Sequence, residues 1–244
     1  MHTSKIYALS WDLHNRLMPA VRGRSVIDIG ANDGGYTNIY LGHGARRVVS
    51  VEPGPRLAEI MRQRFKDDPR VVVRQVGLSD APSRLVGVMH HHSWCLAQPG
   101  QFKDENRLHN LSPGAQAVEG SGVFDVDLTT LDEIVEEHQL TDLAFVKLDT
   151  DGYEPRVLRG ARKTLSTLRP PFLLELSYMP QDFGDDIGAF LDDIYAQDYV
   201  LATMAGVVAT RQQVWEQYPW HTSIDVIMLP VETARSFDLP ALIY

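Results

Sequence analysis

Val26-Ile27-Asp28-Ile29-Gly30-Ala31-Asn32-Asp33-Gly34-Gly35-Tyr36-Thr37 decides how this chain folds. A short apolar run ends at a glycine-rich turn, and residues able to start a helix follow. Strand, turn and helix N-terminus is how α/β proteins hold a nucleotide-like cofactor, because free backbone N–H groups and the helix dipole converge at that point. Asp28 lies inside the apolar run, where a carboxylate requires a partner.

Outward from this stretch, apolar runs and amphipathic segments alternate. Strands are expected at Ser25–Ile29, Arg46–Glu52, Val71–Val76, Leu85–Met89, Val123–Leu128, Leu143–Leu148, Phe172–Leu176, Tyr199–Thr203 and Ile224–Leu229. Helices are expected at Ile6–Ala20, Gly35–Leu41, from Pro55 to about Phe65 with Leu57, Ile60, Met61 and Phe65 on one face, from Thr130 to about Gln139, from Pro155 to Leu168, and at Phe183–Gln197. Thr130 and Glu133 form a capping box, and Pro55 and Pro155 suit a first helical turn. Continuous apolar strands separated by helices give a doubly wound, mostly parallel sheet, with ligands beyond the carboxyl ends of its strands. The organisation reads as one domain over 1–244, with an N-terminal helical cover (1–24) and an inserted active-site loop (90–121).

Composition narrows the function. The chain has 244 residues, 44% hydrophobic and 23% charged, with a net charge of −9. That acidity argues against a nucleic-acid backbone as partner and against an electrostatic membrane anchor. No run approaches transmembrane length, so no membrane insertion is expected. A single cysteine, Cys95, excludes an intramolecular disulfide, and with no signal-peptide-like N-terminus the expected compartment is the cytoplasm. A homo-oligomer is compatible with all of this.

Two further signals specify the cofactor. The turn Gly30-Ala31-Asn32-Asp33-Gly34-Gly35 lacks the second glycine that lets backbone approach a pyrophosphate. Glu52 lies 22 residues beyond Gly30 at the end of the second strand, where a carboxylate accepts from both ribose hydroxyls. Ribose and adenine without phosphate point to S-adenosylmethionine. A nicotinamide reductase is the rival reading, opposed by the missing glycine and the absence of a hydride-transfer set. A catalytically inactive binding module is the other, opposed by retention of both acidic stretches.

The second of those stretches is Lys147-Leu148-Asp149-Thr150-Asp151-Gly152-Tyr153-Glu154-Pro155. Together with Asp28 to Thr37, Val51-Glu52-Pro53, Thr130-Leu131-Asp132, Val157 to Ala161, Pro171 and Glu175, it resembles the FkbM family of methyltransferases from about residue 25 to 178. The resemblance implies a class I, Rossmann-like, seven-stranded methyltransferase fold with S-adenosylmethionine as donor and oxygen as acceptor. It places Asp28, Gly30 and Asn32 against the methionine part of the cofactor and Glu52, with Pro53 beside it, on the ribose. Thr37 is a further candidate for the cofactor carboxylate, and Leu78, Ser79 and Asp80 face the adenine. The family commonly has Glu where this chain has Asp151, and a small residue at Tyr153.

An alcohol is a poor nucleophile near neutral pH, so a base or a metal must assist it. Asp149 is the expected base, with His92 from the run His90-His91-His92 as another. Lys147, two residues from Asp149 on the same strand face, orients Asp149 or the substrate. Alternatively, Asp149 and Glu175 ligate Mg2+, whose hard character suits carboxylates. The resemblance points to a small-molecule or saccharide acceptor: a hydroxyl of a sugar, glycolipid or polyketide-type natural product.

Overall fold

The computed structural model of the protein describes residues 11–90, 93–97, 122–217 and 223–241. The first half runs α1 (Asp12–Leu17), β1 (Ser25–Ile29), α2 (Gly35–Gly42), β2 (Arg47–Val51), α3 (Pro55–Arg64), β3 (Val71–Arg74), β4 (Gly77–Leu78), β5 (Ser83–His90) and β6 (Ser93–Ala97). Next come β7 (Gly122–Thr129), α4 (Leu131–Glu137), β8 (Leu143–Leu148), α5 (Glu154–Arg159), α6 (Arg162–Thr167) and β9 (Phe172–Leu176). The chain then continues through α7 (Ile187–Ala196), β10 (Tyr199–Thr203), β11 (Val208–Ala209), α8 (Arg211–Gln217), β12 (Ile224–Pro230) and α9 (Val231–Ser236).

Eight strands form the main sheet in the order β11-β10-β12-β9-β8-β1-β2-β3. The run from β9 to β3 is parallel, and β12, β10 and β11 are antiparallel. The architecture is the doubly wound class I methyltransferase sheet, with β1 central and the switch point between β1 and β8. Its central strands β1 and β8 are buried on both faces. In β1, Ile27 and Ile29 join one core cluster with Val146 and Leu174, whereas Val26 joins the other with Leu13, Leu17 and Phe145. Period-two alternation into two cores is the packing of a parallel strand covered on both sides.

Several expectations need correction. The sheet has eight strands rather than seven, because Gly206 at φ 85° turns the chain after β10 and lets the two-residue β11 pair back onto it. A run that short carries no periodic signal. The inserted stretch is also less formless than expected. Ser93–Ala97 is a strand paired with β5 in a second sheet, β4-β7-β5-β6. His91, His92 and residues 98–121 lie outside the described residues.

Helix boundaries moved for local reasons. The expected helix from Pro155 to Leu168 is two helices, because the Asp132 carboxylate caps a fresh start, accepting from Lys163 N, Thr164 N and Thr164 Oγ1. The expected start at Phe183 shifts to Ile187, where Asp186 accepts from Ala189 N as N-cap. In α3, Leu57 and Met61 are buried but Ile60 is exposed. Of the expected first helix, Asp12–Leu17 is helical and residues 1–10 lie outside the described set. The capping box at Thr130 and Glu133 is present with both of its hydrogen bonds. Among the described residues, no helix is long and apolar enough to cross a membrane.

Candidate active site

Three strands build the site side by side. In the parallel register Asp28 of β1 lies between Ser50 of β2 and Lys147 of β8. Asp28 is fully buried, and its Oδ2 accepts from Thr37 Oγ1 at 2.7 Å, with Ser50 Oγ 2.7 Å from the same threonine hydroxyl. The other oxygen, Oδ1, has no hydrogen-bond partner among the described residues. Burial pushes the Asp28 pKa up, and the neighbouring Lys147 ammonium and the Thr37 hydrogen bond oppose that push.

Beyond the carboxyl ends of these strands lies a cavity of about 300 Å³. It is lined by Gly30, Ala31, Asn32, Asp33, Gly35 and Tyr36 from the turn and α2, by Glu52 after β2, and by Lys147, Asp149 and Asp151 from β8 and its loop. Gly30, with φ 71°, brings the turn against the β8 loop so closely that a Cβ there would overlap the Asp149 carbonyl oxygen. Glu52 is fully buried, and its carboxylate accepts from Asn32 N at 2.9 Å and Gly54 N at 2.8 Å. Those two bonds fix the plane of the carboxylate at the cavity wall.

Lys147 closes the floor. Its side chain is only 4% exposed, and Nζ donates to the Gly30 carbonyl at 2.7 Å and pairs with Asp149 Oδ2 at 3.1 Å. Burial works against the ammonium charge, but Asp149 and Asp28 outweigh it and hold the Lys147 pKa above normal. Asp149 is 38% exposed, so its carboxylate reaches the open space while its lysine partner does not.

Carboxylates dominate the β8–β9 side. Asp149, Asp151 and Glu175 each bring an oxygen within 4.8 Å of the others. Glu175 is pushed up to about 8 by burial and then by Asp149, and Asp151 to about 6 by burial and then by Asp149. Asp225 sits directly across from Glu175 in the β9–β12 register, and burial together with Asp149 raises its pKa as well. Beneath them, Glu154 is buried and accepts from Thr150 N, Thr150 Oγ1 and Gly152 N. It thereby closes the loop that carries Asp149 and Asp151, the latter at φ 51°. Burial lifts Glu154 to about 7, against the pull of those hydrogen bonds.

Gly30, Asn32, Glu52, Lys147 and Asp149 thus line one cavity. Asp28 and Thr37 lie underneath, paired with each other. Pro53, Leu78, Ser79 and Asp80 do not line this cavity. Ser79 and Leu78 are buried, and Asp80 takes hydrogen bonds from Ser79 Oγ and Arg159 Nε. Tyr153 faces away, buried edge-on against Phe183 at 4.9 Å with the Arg156 guanidinium 5.0 Å from its ring. Its departure from the family pattern therefore affects packing and not the cavity wall.

Sequence reading missed Tyr36, Asp33, Glu154 and Asp225. Tyr36 could have been found, since a residue in the first turn after a glycine loop faces the ligand side. Asp225 could not, because only the strand register brings it to Glu175.

The profile of the methyltransferase FkbM domain matches residues 28–201. The chain belongs to the FkbM methyltransferase family. Residues of both motif stretches, Gly30 to Tyr36 and Lys147 to Asp151, contribute to the cavity just described. A curated relative, the tRNA U34 carboxymethyltransferase of Cellvibrio japonicus, is 27% identical over 119 residues. That match covers 44% of this FkbM chain and 35% of the relative, so it spans about a third of that protein's length. Among solved structures, an O-methyltransferase of Bacillus cereus in complex with SAH is similar over 91% of this chain and 81% of its own, at 17% identity and TM-score 0.45. An rRNA methylase of Streptococcus thermophilus is similar over 95% of this chain and 99% of its own, at 11% identity and TM-score 0.44.

Proposed function

We propose that this FkbM protein is an S-adenosylmethionine-dependent O-methyltransferase acting on a hydroxyl of a sugar, glycolipid or polyketide-type natural product. The observation that carries the reading is the shared cavity: Asp149 stands on the same wall system as the glycine turn and Glu52, so a donor and an acceptor can meet there. The residues suit the cofactor. Glu52 offers a buried, oriented carboxylate for ribose hydroxyls, and the surplus of carboxylates suits a sulfonium cation. The turn has no second glycine for a pyrophosphate, which opposes a dinucleotide and with it the reductase reading.

S-adenosylmethionine bound there would supply an electrophilic methyl carbon on a positively charged sulfur. Asp149 then accepts the proton of the acceptor hydroxyl as its oxygen attacks. The Lys147 ammonium on Asp149 Oδ2 leaves Oδ1 for that proton. Asp28 and Thr37, buried beneath the turn, hold the strand end and the first turn of α2 together rather than forming the cavity wall.

A second reading is favoured by the three converging carboxylates. Asp149, Asp151 and Glu175 form an all-oxygen donor set that suits Mg2+. Held by them, the ion would lower the pKa of the acceptor hydroxyl. Lys147 already neutralises one Asp149 oxygen, which supports the base reading ahead of the metal.

Transfer of a labelled methyl group to a panel of sugar and polyketide alcohols, with an RNA arm, tests the proposal. Transfer to an alcohol that persists in EDTA supports Asp149 as base, and loss in EDTA with recovery in Mg2+ supports the metal. Methylation of RNA alone would overturn the acceptor assignment. Binding of S-adenosylhomocysteine with no turnover of any acceptor would support an inactive binding module.

A further inference from the structure

The Lys147 ammonium has three N–H directions to satisfy while buried. The Gly30 carbonyl takes one and Asp149 takes a second. The ring of Tyr36 stands on a remaining side, with Nζ 5.3 Å from its centroid. An ammonium over an aromatic face at that distance is attracted to the ring quadrupole, most strongly where water is excluded. The ring itself is held from behind. Tyr40 stacks on it at 6.2 Å and 28°, and Trp11 approaches at 6.2 Å.

Tyr36 does not act here as a base. Burial and the surrounding carboxylates of Asp225, Asp149, Asp28 and Glu175 all keep its phenol protonated. Nor is the ring a bland core residue, because it is also part of the cavity wall. Its face meets the Lys147 ammonium, which links the Gly30 turn to Asp149.

We propose that Tyr36 is a positioning residue: its ring face confines the Lys147 ammonium between the Gly30 carbonyl and the Asp149 carboxylate, fixing the spacing of the cofactor turn and the acceptor-side carboxylate. The role of Asp149 toward the acceptor rests on the function proposed above, whereas the confinement of the ammonium does not. An aliphatic side chain at 36 would fill the space without attracting the charge. Phenylalanine would keep the ring face and lose only the hydroxyl.

The test uses the full-length, 15N-labelled protein and lysine ammonium spectra. Lys147 should give a ring-current-shifted, slowly exchanging ammonium signal, assigned by its loss in Lys147→Met. Tyr36→Phe should keep the signal and bind S-adenosylhomocysteine nearly as well as the parent. Tyr36→Leu should lose the protected signal and bind about 10-fold more weakly, the loss expected for a desolvated cation–π contact. Tyr36→Met serves in its place if the leucine variant does not fold. A leucine or methionine variant that keeps both signal and affinity overturns the proposal. So does a phenylalanine variant that loses both, because the hydroxyl would then be responsible. Neither readout needs an acceptor, so failure to find a methylated alcohol would count against the proposed function alone.

Discussion

Gly30 and Asp149 are in backbone contact: the space a Cβ would occupy at residue 30 is taken by the Asp149 carbonyl oxygen, and Asp149 N donates to the Ile29 carbonyl at 3.3 Å. The glycine turn after β1 and the loop after β8 are therefore held together through their backbones. Their separation does not depend on side chains alone. Lys147 adds a second link by donating to the Gly30 carbonyl.

Gly30→Ala should break that unit. The residue sits at φ 71°, which an alanine adopts at a cost of about 1 kcal/mol or more, and the overlap with the carbonyl adds a repacking cost of about 1–3 kcal/mol. Denaturant titration should show a loss of roughly 2–4 kcal/mol. S-adenosylhomocysteine binding measured by calorimetry should fall more than 10-fold. A variant as stable as the parent and binding equally well would show that the turn has room to move.

Glu52→Gln should separate binding from folding. The glutamine can still accept from one of Asn32 N and Gly54 N, so the loop keeps part of its support. It loses the charge that strengthens hydrogen bonds to ligand hydroxyls, worth about 1.5–3 kcal/mol. Affinity for S-adenosylhomocysteine should drop by about 10- to 100-fold, with the circular dichroism spectrum unchanged. Unaltered affinity would remove Glu52 from the ribose site.

These two predictions rest on residues that were legible in the sequence. The glycine turn, Glu52 and the Lys147–Asp149 strand end announce themselves through local pattern: an apolar run, a turn residue, then a carboxylate at a strand end. What stayed hidden depends on tertiary register or on remote capping. Asp225 reaches the site only because β12 runs antiparallel to β9. The break between α5 and α6 is set by Asp132, which lies about thirty residues upstream in sequence. Asp28 was legible as a carboxylate needing a partner, but its partner Thr37 and its depth below the cavity come from the packing of α2 on β1.

Asp149→Asn should affect turnover and spare the cofactor. The amide oxygen can still accept from the Lys147 ammonium, so the floor of the cavity keeps its shape. The proton acceptor is gone, however. With an acceptor identified from the panel, kcat should fall about 10²- to 10⁴-fold, the usual range for loss of a general base. S-adenosylhomocysteine affinity should stay within about 3-fold, roughly half a kcal/mol. If kcat is retained, proton removal belongs to Asp151, Glu175 or solvent.

His14 should add to the pH dependence of the fold, from the same face of the sheet that carries Asp28 and Lys147. It is buried against Tyr40 and Phe145, and among the described residues neither ring nitrogen has a hydrogen-bond partner. Burial, chiefly, lowers its pKa from 6.5 to about 4. A histidine depressed in the folded state favours folding fully above its unfolded pKa. As pH falls from about 6.5 to about 4 the unfolded chain takes up the proton first, and that advantage is lost, at up to about 1.4 kcal/mol per pH unit. Carboxylates titrate over part of the same range, so the comparison must be with a variant. His14→Phe keeps an aromatic ring between Tyr40 and Phe145 and has no proton to take up. Its stability relative to the parent should improve by roughly 2–3 kcal/mol between pH 7 and pH 4 in urea titrations. Parallel pH profiles for the two proteins would mean that His14 already carries a proton in the folded state or finds a partner for it there.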